Sequence, residues 1–454
     1  MIRQVSWLTR YRIRLFVRNS MWLFPALSIP AGLVSLKLLL SLENYFGWTS
    51  SVSLDTARLV ISMVASSMFT LIALVCSAVL VAVQLASAQL TPRIIAVVYR
   101  DPFRKVALAL FTFTFTFSVG VLARLEASQP VPLLTGYVAA YGFLLNLALL
   151  LVFVDGMGKS LRPSSALRTV GLLGREVVTS VYPHWLDERH SAPPEPVKAL
   201  ERAPRRVVLN EVDGALLMFD LKGLLWRARR YDCLIELVPE VGDFVAAGDP
   251  LFRIYEGGDR IPDEVLRGSV ALGHERTLEL DPMFAFRVIV DIASKALSPA
   301  VNDPTTAVLA IDQIHHLLRL VGRRYLAEGH VRDASGRVRF VHRTPNWEDF
   351  VRLAVTEVRQ YGRDSIQVMR RLRAMLENLV ETLPELRVPL LRKELDLLES
   401  SAARTFPDAD DQALAAVSDL QGIGGSRVWW RAEAAKVEAV KVEAAGPSSN
   451  GGAS

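Results

Sequence analysis

Four long apolar blocks occupy the first third of the chain, and most charged residues follow them. The blocks cover about residues 21–42, 59–83, 106–123 and 133–154. Each has the length that an α-helix needs to cross the hydrocarbon core of a bilayer, about 30 Å. A buried helix of a soluble protein seldom stays apolar on every face over such a length. The pattern therefore predicts four transmembrane helices.

The third block contains one segment whose local pattern points to a different structure. Phenylalanine and threonine alternate from Phe111 to Phe117, and a period of two is typical of a β-strand. A lone strand in lipid would leave its backbone groups without hydrogen bonds. We therefore predict a helix here, with the threonine hydroxyls bonded to the preceding turn.

Basic residues flank the blocks unevenly, which predicts an orientation. They gather in three flanks that share one side of the membrane: Arg3, Arg10, Arg12, Arg14 and Arg18; Arg93, Arg100, Arg104 and Lys105; Lys159, Arg162 and Arg168. The positive-inside rule then places both termini on the cytoplasmic side of the membrane. The first flank also carries aromatic residues, a combination typical of an interfacial helix on anionic lipid.

After the membrane region, about residues 205–256 predict a small β module. Short apolar strands are separated by two Gly-Asp turns, Gly242-Asp243 and Gly248-Asp249. This pattern resembles the barrel-sandwich (hammerhead) module of biotinyl and lipoyl carriers and of membrane-fusion adaptors. The carriers place a modified lysine on a hairpin just downstream, but residues 256–260 here contain no lysine. The resemblance implies a structural or docking module without a bound cofactor.

Residues 274–327 form the most patterned polar region. An amphipathic helix from about Met283 to Leu297 precedes a turn, and Asp303 and Pro304 are suited to cap and begin a second helix. One interpretation is a stiff helix-loop-helix corner. The other is a polar site that holds an ion or an anion, formed by Arg276, Asp281, Asp291, Lys295, Asn302 and Asp303.

Composition adds little evidence for chemistry. The net charge of +5 is explained by the membrane-facing arginines, and no nucleic-acid-binding motif accompanies it. Two cysteines exclude a disulfide scaffold. The sequence has no HExxH, GxSxG, Walker or CxxC motif, and the neighbouring His315 and His316 point in different directions on a helix. We predict no catalytic residue, metal or cofactor, and enzymatic activity is not favoured.

Three segments together resemble one protein family. They are residues 84–93 (QLASAQLTPR), the Gly-Asp module, and residues 296–307 (ALSPAVNDPTTA). In this order, behind four apolar blocks, they resemble the bacterial predicted membrane proteins catalogued as domain of unknown function 2254. Thr91 stands where that family usually has serine. The resemblance implies a multi-pass inner-membrane protein with a cytoplasmic domain, and no established activity.

The second block suggests a function because it carries a weakly polar stripe: Ser62, Ser66, Thr70, Ser77 and Gln84. Such a stripe lines a narrow pore or packs against another helix. Four helices seldom enclose a conduit alone, so a pore implies a homo-oligomer. None of the four blocks holds an acidic residue, which weighs against proton-coupled transport. The alternatives are a membrane-anchored sensor or scaffold, and a membrane enzyme.

The predicted fold class is a mainly α membrane protein with a cytoplasmic α+β domain that contains the barrel-sandwich-like module and a helical region. The predicted parts are a basic amphipathic arm (1–20), the transmembrane domain (21–154), a connector (155–204), the β module (205–260), the helical domain (261–405) and a partly disordered tail (406–454).

Overall fold

A computed structural model of the chain describes residues 7–48, 50–94, 101–125, 131–160, 162–187, 199–327 and 329–425. The predictions for Arg3, Arg100, part of the connector (188–198) and residues 426–454 of the tail lie outside these ranges. The chain divides into two compact units, residues 1–169 and residues 170–454. Each unit has its own hydrophobic core, so each is described by itself.

The first unit is helical. Its helices are α1 (Trp7–Asn19), α2 (Leu23–Phe46), α3 (Leu54–Gln89), α4 (Pro102–Leu122) and α5 (Leu133–Ser160), with a short 3₁₀ turn at Pro92–Ile94. Helices α2 to α5 are long and apolar enough to cross a membrane. The four predicted spans are therefore present as helices, at the N-terminal end of the chain as expected.

Local sequence signals set the limits of these helices. Ser53 caps α3 by accepting a hydrogen bond from the Thr56 amide at 3.3 Å, and Asp101 caps α4 by accepting one from the Phe103 amide at 3.0 Å. Such caps satisfy backbone donors that the first turn leaves unpaired. At the other end of α2, Gly47 adopts a left-handed conformation with φ of 68°, which glycine tolerates without a steric penalty.

The alternating phenylalanine and threonine segment is helical, as predicted. The Thr112 hydroxyl donates to the Leu108 carbonyl at 2.9 Å, one turn back. Phe111 and Phe117 are almost fully buried on one side of α4, where they join apolar residues of the neighbouring helices. Membrane length and tertiary packing thus override the local strand pattern.

Helix α6 (Pro163–Val181) continues the chain from the first unit into the second. The second unit contains eight described strands: β1 (Arg206–Leu209), β2 (Gly214–Phe219), β3 (Leu234–Leu237), β4 (Phe244–Val245), β5 (Pro250–Tyr255), β6 (Val270–Gly273), β7 (His330–Arg332) and β8 (Val338–His342). They form a five-stranded sheet in the order β1-β5-β3-β8-β7 and a three-stranded sheet in the order β4-β2-β6.

The helices of the second unit follow and interrupt these strands. They are α7 (Leu221–Arg230), α8 (Asp263–Arg267), α9 (Pro282–Ala296), α10 (Pro304–Gly322), α11 (Trp347–Tyr361), α12 (Ile366–Thr382), α13 (Val388–Thr405) and α14 (Ala409–Ala415). The longest of them pack apolar faces together, as shown by the fully buried Phe286 of α9, Ile314 of α10 and Phe350 of α11. This burial is the main source of their stability, since isolated helices of this length are marginal.

Two features of the structure fall within the predicted helical domain and the predicted tail. Strands β6, β7 and β8 lie within residues 270–342, and β8 pairs in parallel with β3. The described part of the tail, residues 406–425, is hydrogen-bonded to Arg370, which is 1% exposed. Its guanidinium donates to the carbonyls of Val417, Gly424 and Gly425 at 3.0–3.2 Å. Local sequence patterns predict neither the pairing of β3 with β8 nor the hydrogen bonds of Arg370, because the partners are distant along the chain.

Candidate functional site

The polar stripe of α3 lies on the outer surface of the first unit. Ser66, Thr70, Ser77 and Gln84 are exposed, and Ser62 is partly buried. At 100° per residue, the five positions span an arc of about 80°. The opposite face of α3 is buried against α4 and α5. Within this chain the stripe therefore does not pack against the neighbouring helices.

The hydroxyl groups of the stripe are partly satisfied by their own helix. Ser62 Oγ donates to the Leu59 carbonyl at 2.8 Å, and Thr70 Oγ1 donates to the Ser66 carbonyl at 3.1 Å. These back-bonds make the hydroxyls tolerable in lipid. Gln84 is different, because a helix supplies no backbone partner for its exposed amide. The α3 helix has 36 residues, about 54 Å at 1.5 Å per residue, so its ends extend beyond the hydrocarbon.

The interior of the first unit holds a polar cluster that the sequence analysis did not find. Asn146 lies near the middle of α5 and is 1% exposed. Its Nδ2 donates to Thr114 Oγ1 at 2.7 Å and contacts Met68 Sδ at 3.4 Å. Within the described residues, Asn146 Oδ1 and Ser118 Oγ have no hydrogen-bond partner. The sequence did contain one indication of this cluster. Asn146 is a single amide side chain in a largely apolar helix, and membrane proteins seldom place such a side chain against lipid.

The helices extend past the apolar blocks and thereby include acidic residues. Glu43, Asp55 and Asp155 lie within α2, α3 and α5, so the absence of acids holds for the blocks but not for the helices. Glu43 is 3% exposed. Its carboxylate accepts hydrogen bonds from the Thr135 amide at 2.9 Å and from the Thr135 hydroxyl at 2.5 Å. A carboxylate at the first turn of α5 caps that helix and complements its dipole.

The structure brings together two of the six residues of the predicted polar site, Arg276 and Asp281. The Arg276 guanidinium contacts Asp281 Oδ2 through Nε at 2.8 Å and Nη2 at 2.7 Å. The other carboxylate oxygen of Asp281 caps α9 by accepting from the Phe284 amide at 2.9 Å. Asp281 is 3% exposed, and burial raises the pKa of its carboxyl, while Arg276 and the backbone amides oppose the rise.

The first Gly-Asp turn of the β module meets this ion pair. Gly242 has φ of +98°, and a Cβ at this position would lie 2.1 Å from Nη2 of Arg276. The guanidinium therefore rests directly on the glycine backbone. The second turn has the same conformation, with φ of +93° at Gly248, but a Cβ there meets nothing within 4 Å. In each turn the aspartate accepts from the amide three residues earlier, at 2.8 Å for Asp243 and 2.9 Å for Asp249.

Tyr182 is another buried polar side chain of this unit. It follows α6 and is 2% exposed, and its ring stands edge-on to Phe350 at 6.2 Å. Its hydroxyl has no hydrogen-bond partner among the described residues. Burial, together with the charges of Glu240, Asp281 and Asp349, raises the pKa of its phenol.

The carboxyl group of Glu240 titrates near neutral pH. Burial raises its pKa to about 7, the nearby acids Asp243, Asp349 and Asp281 add to the rise, and Arg343 opposes it. The folded pKa therefore lies above that of the unfolded chain, 4.5. The folded state binds this proton more tightly, so the contribution of Glu240 to the free energy of unfolding is fully present below about pH 4.5 and is lost as the pH rises through about 7.

The other four residues of the predicted polar site lie elsewhere. Asp291 pairs with Arg287 at 2.5 Å, and Arg287 also binds Glu357. Lys295 is exposed near the C-terminal end of α9. Because α9 has 15 residues, about 22 Å separate its two ends, with Asp281 at one end and the corner that contains Asn302 and Asp303 at the other.

The corner between α9 and α10 shows the features of a structural turn. Asp303 caps α10 through the Thr306 amide at 3.0 Å and the Thr306 hydroxyl at 2.5 Å, and Pro304 begins the helix. Asn302 has φ of +47°, a left-handed conformation that asparagine adopts more readily than most residues. Each part of the local prediction for Asp303 and Pro304 is confirmed.

In the described part of the chain, no group of three or more His, Cys, Asp or Glu side chains is arranged to hold an ion. His315 Nε2 instead pairs with Asn378 Oδ1 at 2.9 Å, and burial lowers the pKa of this imidazole.

Comparison with known proteins gives one family and relatives without an assigned activity. The family of predicted membrane proteins DUF2254 matches residues 18–378. The chain is similar to two uncharacterized proteins, Mb1321c of Mycobacterium bovis and Rv1290c of Mycobacterium tuberculosis. It is 28% identical to each over 423 residues, which are 88% of this chain and 79% of each relative. No solved structure matches the chain.

Proposed function

Because the chain belongs to the DUF2254 family of predicted membrane proteins, we propose that it acts as a homo-oligomeric, channel-like protein of the bacterial inner membrane. In this proposal the α3 helices of several copies surround a narrow path for ions. Residues 170–454 lie in the cytoplasm and regulate that path.

The exposed polar stripe of α3 carries the proposal. Most of the exposed residues of α2 to α5 are large and apolar, such as Leu59, Phe69 and Leu151, as expected for surfaces against lipid. The stripe interrupts this pattern with five polar side chains on one arc of one helix. A polar face avoids lipid when copies of the helix meet around water, and small hydroxyl side chains leave room for a narrow path.

The proposed orientation rests on charge. The end of the first unit at which α4 begins is basic, with Arg104 and Lys105 both buried there, and α1 adds four arginines. The loop ends near Arg58 and Arg124 carry fewer basic residues. The positive-inside rule then places α1 and residues 170–454 on the cytoplasmic side.

Flux measurements with two matched variants test the pore. Ser66 and Ser67 are both exposed serines of α3, but Ser67 lies about 100° from Ser66, off the stripe. With full-length protein in liposomes, we expect measurable flux of K⁺, Na⁺ or Cl⁻, which Ser66→Trp strongly reduces and Ser67→Trp leaves near the starting level. Equal effects of both variants, or a monomer by mass in detergent, would contradict the proposal.

A scaffold is the second candidate, because the β module exposes a large aromatic side chain. Phe244 of β4 is 71% exposed, next to the first Gly-Asp turn, and Val212 is 66% exposed. Exposed apolar groups of this kind are typical of protein contacts. A scaffold predicts no ion flux from any variant, and loss of a cross-linked partner on Phe244→Ser.

A further inference from the structure

An open groove runs along the outside of the first unit, between α1, the start of α2 and interior turns of α3 and α4. Its volume is about 920 Å³. Apolar side chains supply most of its walls, among them Phe16 of α1, Trp22 before α2, and Ile72 and Leu80 of α3. An apolar groove of this size, on a surface that otherwise faces lipid, is large enough for a hydrocarbon chain.

Two polar groups of this groove have no partner within the part of the chain that the structure describes. Arg12 lines the groove, is exposed and makes no ion pair there. Ser20 also lines the groove and is 8% exposed, and its buried Oγ has no hydrogen-bond partner among the same residues. A buried hydroxyl without a partner costs free energy. The groove thus offers a positive charge and a free hydroxyl, beside a long apolar wall.

The dimensions of the groove match half a bilayer. On α3 its wall extends from Val83 to Ile72, about 16 Å at 1.5 Å per residue, compared with about 15 Å for half of the hydrocarbon core. On the opposite side of the groove, Lys105 of α4 holds the end of α1. Its ammonium donates hydrogen bonds to the carbonyls of Val17, at 3.2 Å, and of Arg18. The end of α1 is thus held against α4.

We propose that this groove binds one anionic phospholipid. An acyl chain lies along α3 toward Ile72, the phosphate lies beside Arg12, and Ser20 donates a hydrogen bond to an oxygen of the headgroup or ester. The charge of Arg12 favours an anionic headgroup over a zwitterionic one. The proposal needs only that α2 to α5 span a membrane, and it holds whether or not the protein conducts ions.

The free thiol of Cys76 provides a reporter, because it lines the groove and is exposed, whereas Cys233 is buried. Full-length protein, stripped of lipid in detergent, is titrated with phosphatidylglycerol or with phosphatidylcholine of the same chains. Native mass spectrometry counts the retained lipid, and N-ethylmaleimide measures access to Cys76. We expect phosphatidylglycerol to be retained preferentially and to slow modification of Cys76 several-fold.

Two arginine variants decide whether the site is specific. Arg12 lines the groove, whereas Arg14 is an exposed arginine of the same helix that does not. Arg12→Gln is expected to weaken retention of phosphatidylglycerol by about fivefold, the effect of one basic residue near an anionic lipid, and Arg14→Gln to leave it nearly unchanged.

Three results would overturn the proposal. One is equal protection of Cys76 by both lipids, and another is an equal loss of retention in both arginine variants. The third is protection that depends on protein concentration rather than on lipid, which would identify a second copy of the chain as the occupant. Ion flux that is lost while the lipid preference is retained would count against the channel alone, so the two proposals fail separately.

Discussion

Gly242 and Gly248 occupy matching turns of the β module and differ in what lies beside them. Both have positive φ angles, +98° and +93°, but only Gly242 is in contact with Arg276. Alanine at either position places a side chain in the left-handed region, at a cost of about 1–2 kcal/mol. Gly248→Ala is therefore the control that isolates the contact with Arg276.

The additional cost at Gly242 follows from the ion pair. A Cβ would lie 2.1 Å from Nη2 and 2.3 Å from Cζ of Arg276, so the guanidinium must shift, which disturbs its contact with Asp281. Removing the partner of a buried charge costs about 3–5 kcal/mol. Because the Arg276 side chain is 37% exposed, water replaces part of the interaction, and we expect about 2–3 kcal/mol beyond the cost at Gly248.

Thermal unfolding of the full-length protein in detergent, followed by circular dichroism, measures the difference. With about 2–4 °C per kcal/mol for a unit of this size, Gly242→Ala should lower Tm by about 5–10 °C more than Gly248→Ala does. In an Arg276→Ala background the two alanine variants should have equal effects, because the contact is absent. Equal Tm values of the single variants, or an excess that persists without Arg276, would refute the steric argument.

Three further changes test other parts of the structure. Glu240→Gln should raise Tm at pH 8 and change it little at pH 5, because it removes a carboxyl whose pKa is raised to about 7. The control is Glu381→Gln at an exposed position, which should not show this difference between the two pH values. A change in Tm of equal size at both pH values would contradict the raised pKa of Glu240. Asp303→Ala should cost about 1 kcal/mol through loss of a helix cap, while Asp303→Asn retains most of the stability. Glu43→Ala should cost about 1–3 kcal/mol in detergent unfolding, because the amide and hydroxyl of Thr135 lose a buried acceptor; an unchanged Tm would exclude this capping role.

Sequence patterns predicted those features that depend on neighbouring residues. The four spans, the helical state of residues 111–117 and the cap at Asp303 all agree with the structure. Each depends on local length, hydropathy or side chain-to-backbone hydrogen bonds within a few residues. The positive φ angles of Gly242 and Gly248 also depend on residues close in sequence, because a Gly-Asp turn favours them.

The candidate sites were less accessible to sequence analysis, because their members are distant along the chain. Glu43 and Thr135 are separated by 92 residues, and Met68 and Asn146 by 78. Helical periodicity placed the α3 stripe on one face, but it did not show which face the other helices leave exposed. The six polar residues between Arg276 and Asp303 are close in sequence, yet a helix of 15 residues separates their two ends.

The sequence alone therefore determined that the chain has four membrane-length helices and that α10 begins after Asp303, because hydrophobic length and capping are local properties. Only the tertiary structure decided that Arg276 lies against Gly242, that Asn146 meets Thr114 in the bundle interior, and that a groove opens beside Arg12. Those arrangements arise from the packing of distant segments, which depends on the shapes of whole surfaces rather than on the order of neighbouring residues.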